Sequence, residues 1–242
     1  MENQFIAIDP QKIFCFDCSS DNVCFNACCR NLNQCLTPFD FLMLKKFLGL
    51  PSTQCLETYT VQSTGPATGL PVVSIKPDYK DHLKCPFVTP KGCSIYPARP
   101  ASCRIYPLAR AVTRSRETGE RKEHWALIRE AHCKGFDSNK KQTITRWIRN
   151  QDLKEYNEMN DLMVELIALK NQRGKAPLTL FETKMFHMAL YDLDTFRSHV
   201  FEKNLLDKRA AGEKMIQQAR SSDKALLKLG MAWIKSELFT AS

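Results

Sequence analysis

Cysteine is the residue type with the richest chemistry in this sequence. The 242-residue chain contains eleven cysteines, and all of them lie within its first 133 residues. Thiolate sulfur selects zinc, copper(I) and iron–sulfur clusters, so clustered reduced thiols are typical of a metal site. The eleven are Cys15, Cys18, Cys24, Cys28, Cys29, Cys35, Cys55, Cys85, Cys93, Cys103 and Cys133.

The first group of cysteines lies in the stretch CSSDNVCFNACCR. Cys24 and Cys28 are four residues apart. On a helix their sulfurs would therefore lie on one face and could bind one metal ion. Cys29 would then point about 100° away, which predicts that it faces another part of a cluster or a second metal. Cys18, six residues before Cys24, can loop back towards the same site.

The second group consists of Cys85, Cys93, Cys103 and Cys133. A Pro-Lys-Gly turn between the first two predicts a hairpin that brings their sulfurs together. The phrase Cys-x-Ile-Tyr-Pro occurs twice, beginning at Cys93 and at Cys103, and each proline favours extended backbone at the tyrosine before it. We therefore expect two similar extended arms, each presenting one cysteine.

Together the two groups supply eight candidate ligands. A tetrahedral zinc site and a [4Fe–4S] cluster each take four, so eight cysteines correspond to two four-cysteine sites, or to one cluster with spare thiols. The candidates are Cys18, Cys24, Cys28, Cys29, Cys85, Cys93, Cys103 and Cys133. Of the remaining three, Cys15 is an alternative to Cys18, Cys35 is incidental, and Cys55 is expected to be a small core residue.

Composition places the chain among ordinary globular proteins, because 43% of its residues are hydrophobic and 25% are charged. The N-terminal residues show no basic leader followed by an apolar run. No stretch approaches the ~18 apolar residues of a spanning helix. We therefore expect a cytoplasmic protein with reduced thiols and no membrane partner.

The net charge of +9 is concentrated in residues 91–150, where basic side chains exceed acidic ones by nine. One interpretation is that Arg99, Arg104 and their neighbours offset the negative charge of metal-bound thiolates; the alternative for these two arginines is simple solvation. Another interpretation is a surface for nucleic acid or an acidic protein. The aromatic residues of this region do not form a stacking platform, so nucleic acid is disfavoured as a partner.

The order of predicted elements favours an α+β fold. Short hairpins and helices in a cysteine-rich metal-binding region, 1–136, are expected to pack against a helical region, 137–242. The two regions are also compatible with one continuous domain.

Local signals predict several elements in more detail, including a second hairpin around residues 117–120. Thr37 and Gly49 are expected to cap a helix at its two ends. Apolar spacing predicts further helices near 178–203 and 207–238. We interpret the carboxylates of the YDLD sequence, which begins at Tyr191, as helix caps or ion-pair partners of Arg197.

The cysteine motifs are similar to those of the YkgJ-like cysteine-cluster family. The matching segments are FDCSSDNVCFNACCRNLN, LTPFDFLMLKKFLGL, CPFVTPKGCSIYPARPASCRIYPLAR and HCKGF. The similarity continues into YDLDTFR and ALLKLGMAWIKSEL, so it covers nearly the whole chain. The resemblance implies a zinc- or iron-chelating domain whose ligands fall on the eight cysteines chosen above.

From the cysteines and the resemblance we expect a metal-binding protein with a structural, redox or accessory role. An iron–sulfur cluster, most simply [4Fe–4S], is preferred to zinc, and a protein partner is compatible with this role. Flagellin lysine methylases carry a related cluster, so a protein-lysine methylase-like enzyme is one alternative, although no glycine-rich nucleotide loop is present. A zinc-dependent nucleic-acid-binding protein is the other. No residue is assigned a catalytic role.

Overall fold

The computed structural model describes residues 4–31, 33–114, 118, 120–174, 176–203 and 212–239. Its strands are β1 Gln4–Ala7, β2 Ile13–Cys15, β3 Cys35–Leu36, β4 Thr60–Thr64, β5 Pro71–Ile75, β6 Val88–Thr89, β7 Gly92–Cys93, β8 Leu108–Arg114, β9 Arg121–Arg129 and β10 Lys141–Thr143. Its α-helices are α1 Pro38–Leu48, α2 Ser52–Tyr59, α3 Ala101–Ile105, α4 Ile144–Asn150, α5 Leu153–Gln172, α6 Leu180–Leu190, α7 Leu193–Phe201, α8 Glu213–Ser221 and α9 Asp223–Ile234.

These elements confirm the predicted α+β class. The chain divides into two compact units, and each combines two separate stretches of sequence. The first unit contains Met1–Asn33 and Pro77–Glu158, and the second contains Gln34–Lys76 and Met159–Ser242. The predicted boundary at residue 136, between a metal-binding region and a helical region, stays a prediction. None of the described helices has the length and apolar character of a membrane span.

Antiparallel strands form the framework of the first unit. Strand β9 lies between β1 and β8, β2 pairs with β10, and β6 pairs with β7. The pairing of β6 with β7 and of β8 with β9 confirms both predicted hairpins. Glu117, placed by the prediction in the second turn, lies outside the described residues, whereas Glu120 follows that turn.

An aromatic core supports the cysteine-bearing part of the first unit. Phe16 is almost fully buried and meets three other rings edge-on, with centroids 5.9 Å away at Tyr106, 5.1 Å at Phe136 and 5.5 Å at Trp147. Such pairs are worth about 0.5–1.5 kcal/mol each beyond the area that they bury. Cys133 and Tyr106 both pack against this core, so the aromatic rings fix part of the candidate site.

The second unit combines a three-stranded antiparallel sheet, in the order β3-β5-β4, with helices. Helix α1 begins with a capping box, in which the Thr37 hydroxyl accepts from the N–H of Asp40 and the Asp40 carboxylate accepts from the N–H of Thr37. The helix ends at Gly49, whose φ of 66° is the left-handed conformation that glycine adopts readily. Both predicted ends of this helix are therefore confirmed.

The predicted helix near 178–203 is interrupted, and so is the described part of the helix near 207–238. Asp192 caps the start of α7, and Ser222 caps the start of α9. Each side chain accepts a hydrogen bond from a backbone N–H three residues later, which favours a new helix start over continuation. Apolar periodicity alone missed both breaks. Residues 204–211, included in the prediction, lie outside the described residues.

One of the two carboxylates of YDLD has the expected role and the other does not. Asp192 caps α7, which confirms the capping interpretation. Asp194 pairs with the buried Lys45 at 2.7 Å, whereas Arg197 pairs with Asp223 at 2.5 Å. The interpretation of Asp194 as a partner of Arg197 is therefore wrong, because each of them pairs with a residue from another part of the sequence.

We predict that Gly135→Ala destabilises the first unit. A Cβ atom at Gly135 would lie 2.5 Å from Cε2 of Phe16 and 2.7 Å from the carbonyl oxygen of Asp17. Because both neighbours are held in the core or backbone, we expect a loss of about 1–3 kcal/mol in the free energy of unfolding.

Urea unfolding followed by tryptophan fluorescence would measure this loss. In a Trp233→Phe background, the remaining tryptophans, Trp125 and Trp147, both report on the first unit. Gly49→Ala is the control, since a Cβ there meets no atom within 4 Å and the residue belongs to the second unit. An unchanged midpoint in Gly135→Ala would contradict the prediction.

Candidate metal centre

The stretch that carries Cys24 and Cys28 forms turns and a short 3-10 helix, Ala27–Cys29. Between the two cysteines, Asn26 adopts the left-handed conformation with φ 66°, and its amide nitrogen donates to the carbonyl oxygen of Thr89 at 2.9 Å. The helical arrangement considered for Cys24 and Cys28 is therefore not formed, because a left-handed residue interrupts an α-helix. Turns bring these two thiols together instead.

Backbone hydrogen bonds join the two cysteine groups. The N–H of Cys85 donates to the carbonyl oxygen of Cys29 at 2.9 Å, and the N–H of Asn31 donates to the carbonyl oxygen of His82 at 2.9 Å. These bonds fix the first cysteine segment to the stretch before the β6–β7 hairpin. Cysteines more than fifty residues apart in sequence thus become neighbours.

The two Cys-x-Ile-Tyr-Pro segments differ in conformation. Cys93 ends β7 and is followed by a 3-10 helix at Tyr96–Ala98, whereas Cys103 lies within α3. The expectation of two similar extended arms is wrong because the residues before them differ. Gly92, with φ 112°, belongs to a hairpin, while Pro100 begins a helical turn.

Four of the eight candidate thiols share one cavity of about 40 Å³. They are Cys18, Cys24, Cys28 and Cys133. A site for one water needs roughly 10–15 Å³ by the same measure, so this space exceeds what a single ion requires. Burial, followed by the charges of Cys28, Cys133 and Cys24, raises the pKa of Cys18 to about 11.

The other four thiols lie around the β6–β7 hairpin and α3. Burial raises the pKa of Cys85, and the neighbouring charge of Cys93 adds to the effect. Cys29 has a raised pKa for three reasons in turn: its hydrogen bond to Cys28, burial, and nearby charges that include Cys85 and Cys103. All eight candidates are therefore brought into one of two neighbouring groups.

The thiols of Cys28 and Cys29 are hydrogen-bonded to each other. This bond lowers the pKa of Cys28 and raises that of Cys29, so Cys29 donates and the Cys28 sulfur carries the negative charge. The charge of Cys28 also raises the pKa of Cys18 in one group and of Cys85 and Cys93 in the other. The charge of Cys28 thus reaches thiols of both groups.

Backbone N–H groups donate to several of the sulfurs. In Cys85, Cys93 and Cys133 the donor is the N–H two residues later, and Cys85 also accepts from the residue after that. The N–H of Lys134 donates to Sγ of Cys24 at 3.2 Å. A hydrogen bond to sulfur favours its charged form, so the local backbone prepares these cysteines to act as thiolates.

Arg99 and Arg104 are buried, so the alternative that they are solvated is wrong. Arg104 donates to three backbone carbonyls, which makes it a structural clamp. Burial lowers the pKa of Arg99, and the charges of Cys103 and Cys93 oppose this effect. Among the described residues, neither guanidinium pairs with a carboxylate. Arg99, which donates to the carbonyl oxygen of Tyr96 and to Oε1 of Gln151, is therefore a buried positive charge that interacts electrostatically with two thiols of the second group.

The three remaining cysteines lie apart from these groups. Cys15 is exposed on β2 and is not part of the cavity wall, so the structure brings Cys18 to the cavity instead of Cys15. Cys35 and Cys55 belong to the second unit. Cys55 is fully buried, as expected of a core residue, and burial raises its pKa to about 11.

The clustered thiols do not yet form a closed ligand set. Within the described ranges, no three Cys, His, Asp or Glu side chains are gathered closely enough to hold a metal ion. A cysteine side chain turns about one staggered torsion, and ligation would require such rotations. The donor chemistry itself fits a thiophilic metal, since soft sulfurs predominate and N–H groups already support four of them.

Tyr106 is a site residue that sequence reasoning missed. It lines the cavity, and its buried hydroxyl makes no hydrogen bond of ordinary geometry. Burial raises its pKa, and the neighbouring Cys133 and Glu130 raise it further. The repeated Cys-x-Ile-Tyr-Pro phrase identified two amphipathic tyrosines, yet the other, Tyr96, is 57% exposed. The phrase alone could not distinguish them.

Comparison with known proteins identifies one family. The CxxCxxCC family model, whose description names a zinc- or iron-chelating domain, matches residues 17–161, more than half of the chain. No curated protein and no solved structure gave a significant match. The matched range includes all eight candidate ligands.

We predict that Tyr106→Phe weakens metal binding about 10- to 100-fold, the usual effect of losing a group that supports a metal ligand. The substitution removes the hydroxyl beside Cys133 but keeps the ring that packs against Phe16. Zinc affinity would be measured by competition with a chromophoric chelator.

Tyr96→Phe is the matched control, because it removes the corresponding hydroxyl from the first Cys-x-Ile-Tyr-Pro segment. Its ring lies against the Arg99 guanidinium at 3.7 Å, a contact that phenylalanine can keep. Equal zinc affinity in wild type, Tyr106→Phe and Tyr96→Phe would show that the buried hydroxyl does not support the site.

Proposed function

This chain belongs to the CxxCxxCC family, and from that premise we propose that eight cysteines of its first compact unit bind a metal centre. The proposed ligands are Cys18, Cys24, Cys28, Cys29, Cys85, Cys93, Cys103 and Cys133. The observation that carries the proposal is their convergence from separated stretches of sequence into two neighbouring groups.

Charge gives the physical reason why such a group of thiols needs a cation. Burial and neighbouring sulfurs raise the pKa of Cys18, Cys85, Cys93 and Cys133, so these thiols resist ionisation together. A metal ion reverses this preference, because a coordinating thiol is deprotonated outright. The N–H donors at three of these sulfurs favour the same thiolate state.

We propose an iron–sulfur cluster, most simply [4Fe–4S], in preference to zinc. A zinc ion with four thiolates fills a closed tetrahedral site, whereas a cluster also needs space for inorganic sulfide. The cavity of about 40 Å³ between four cysteines supplies such space. Hydrogen bonds to sulfur are also a means by which proteins tune the reduction potential of these clusters.

The proposed role is structural, redox or accessory, in the cytoplasm, where thiols stay reduced. When a metal site exists only in the folded protein, the free energy of metal binding adds to the stability of the folded state. Cys133 packs directly against the aromatic core of the first unit. Metal binding should therefore stabilise that core as well as the cysteine segments.

We propose that nucleic acid is not a partner, because much of the basic character in residues 91–150 is already engaged. Arg110 pairs with Glu123 at 2.7 Å, and Lys140 pairs with Asp17 at 2.9 Å. Two further arginines of this stretch are buried. An electrostatic surface for phosphates needs accessible, unpaired cations.

We expect anaerobically purified protein to contain iron and sulfide, and to show the broad visible absorption of an iron–sulfur cluster. Colourless protein with stoichiometric zinc would support thiolate ligation but contradict the preference for iron. Freshly purified, folded protein without metal, in which all eight thiols titrate freely, would contradict the proposed function itself.

Single substitutions would assign the ligands. Cys28→Ser should lose at least half of the bound metal and lower the unfolding temperature, because that thiol is central to both groups. Cys35→Ser is the matched control, since Cys35 is also exposed but belongs to the second unit. Elemental analysis and thermal unfolding would measure both effects. Equal metal loss in the two variants would show that the cysteines are wrongly partitioned.

We expect no useful affinity for DNA or RNA at physiological salt. The check is fluorescence anisotropy with labelled oligonucleotides across a salt series, using wild type and the Arg121→Gln/Lys122→Gln double variant on the exposed start of β9. A sub-micromolar complex whose log affinity falls linearly with log salt, and which weakens in the double variant, would contradict the expectation.

A further inference from the structure

We infer that the eight thiols form two separate four-sulfur sites that meet at the Cys28–Cys29 dipeptide. This inference rests on the proposed function and adds the number of centres and the ligands of each. The cavity site consists of Cys18, Cys24, Cys28 and Cys133. The hairpin site consists of Cys29, Cys85, Cys93 and Cys103.

The cavity site is defined by a shared wall. Its four sulfur-bearing side chains line the same space of about 40 Å³. The N–H of Lys134, the residue after Cys133, donates to Sγ of Cys24 at 3.2 Å, which ties the most distant ligand in sequence to the first segment. Besides burial, the charges of the other three cysteines all raise the pKa of Cys18.

The hairpin site is defined by backbone pairing. Cys93 pairs with Val88 in the β6–β7 register, which turns the chain back towards Cys85. The N–H of Cys85 donates to the carbonyl oxygen of Cys29 at 2.9 Å, so Cys29 is fixed beside the hairpin. Cys103 lies on α3, and its charge is one of those that raise the pKa of Cys29, so we include it as the fourth member of the group.

The conformation of the dipeptide explains why neighbouring cysteines serve different sites. Ala27–Cys29 is a 3-10 helix, in which consecutive side chains diverge by about 120°. Cys28 is part of the cavity wall and Cys29 is not. The Cys29 thiol also hydrogen-bonds to the Cys28 sulfur, so the two thiols meet at the border between the sites, and each can complete a separate one.

The two sites differ in charge. A divalent ion held by four thiolates carries a net charge of about −2. The charges of Cys103 and Cys93 act on buried Arg99, so this arginine offsets charge at the hairpin site. The cavity wall contains no arginine or lysine. We therefore expect the cavity site to bind a divalent ion more weakly and to release it first to a chelator.

Counting zinc ions by native mass spectrometry tests the partition directly. Apo protein would be reloaded anaerobically with Zn²⁺ in the presence of a competing chelator, so that incomplete sites stay empty. Wild type should hold two zinc ions per chain. Cys24→Ser and Cys103→Ser should each hold one, because each substitution opens one site.

Double variants distinguish two sites from a single eight-thiol centre. Cys24→Ser/Cys133→Ser should still hold one zinc ion, since both substitutions fall in the cavity site. Cys24→Ser/Cys103→Ser should hold none, because the same number of cysteines is removed from different sites. Equal zinc content in these two variants would overturn the partition. Wild-type protein that binds no metal would instead overturn the proposed function.

A measurement on wild type covers the case in which variants fail to fold. Cadmium-113 NMR of protein reloaded with ¹¹³Cd²⁺ should give two resonances in the range typical of four sulfur ligands. The resonance from the cavity site should disappear first as a chelator is added. A single four-sulfur resonance at saturating cadmium would overturn the two-site inference while leaving thiolate metal binding intact.

Discussion

Mutual repulsion between thiolates is the constraint on which the organisation of the first unit depends. Bringing several sulfurs together costs free energy once they ionise, since each negative charge disfavours the next. Burial adds a second cost, which is why Cys18 and Cys85 have raised pKa values. The surrounding elements can lower this cost locally, through N–H donors and one buried arginine. Full ionisation is favoured by a cation, so the cluster is well explained as a metal site.

The scaffold around the thiols is small and depends on close contacts. Strand β2 and the residue that follows it alternate in exposure, so that Phe14 and Phe16 are buried while Cys15 is exposed. The Phe16 ring leaves no room for a side chain at Gly135, which allows the segment after Cys133 to approach it. An aromatic residue far from Cys133 in sequence thereby helps to determine where that candidate thiol lies. Metal binding and aromatic packing should consequently stabilise each other.

Sequence reasoning worked where the determining signal is local. The ends of α1 follow from Thr37 and Gly49, because caps satisfy backbone groups within a few residues. Hairpins were likewise predictable from their turns. Long-range choices were not: the left-handed Asn26 is supported by a hydrogen bond to Thr89, sixty-three residues away. Asp194 pairs with Lys45, one hundred and forty-nine residues away. Sequence spacing contains no information about such partners.

The eight cysteines were selected by spacing and resemblance, but their grouping depends on folding. Spacing suggested that Cys24 and Cys28 bind one metal from one face of a helix; the structure places both on one cavity wall, but no helix joins them. It could not show that Cys133 joins them, because that contact depends on the aromatic core. The repeated Cys-x-Ile-Tyr-Pro phrase is similarly misleading as a structural repeat. Its two copies place one tyrosine in solvent and the other against the cavity, so the same four shared residues have different roles in different surroundings.

The basic segment shows why net charge in a sequence is an incomplete guide to a surface. The guanidinium of Arg104 donates hydrogen bonds to backbone carbonyls. Arg99 is buried, and its charge interacts with those of two thiols instead of being solvated. A buried cation without a carboxylate partner is unfavourable on its own. It becomes favourable if the neighbouring sulfurs carry negative charge, and metal binding would supply that charge by deprotonating them. The arginine and the metal would then be coupled: each makes the thiolate state of Cys93 and Cys103 less costly, and that state in turn justifies the burial of the arginine.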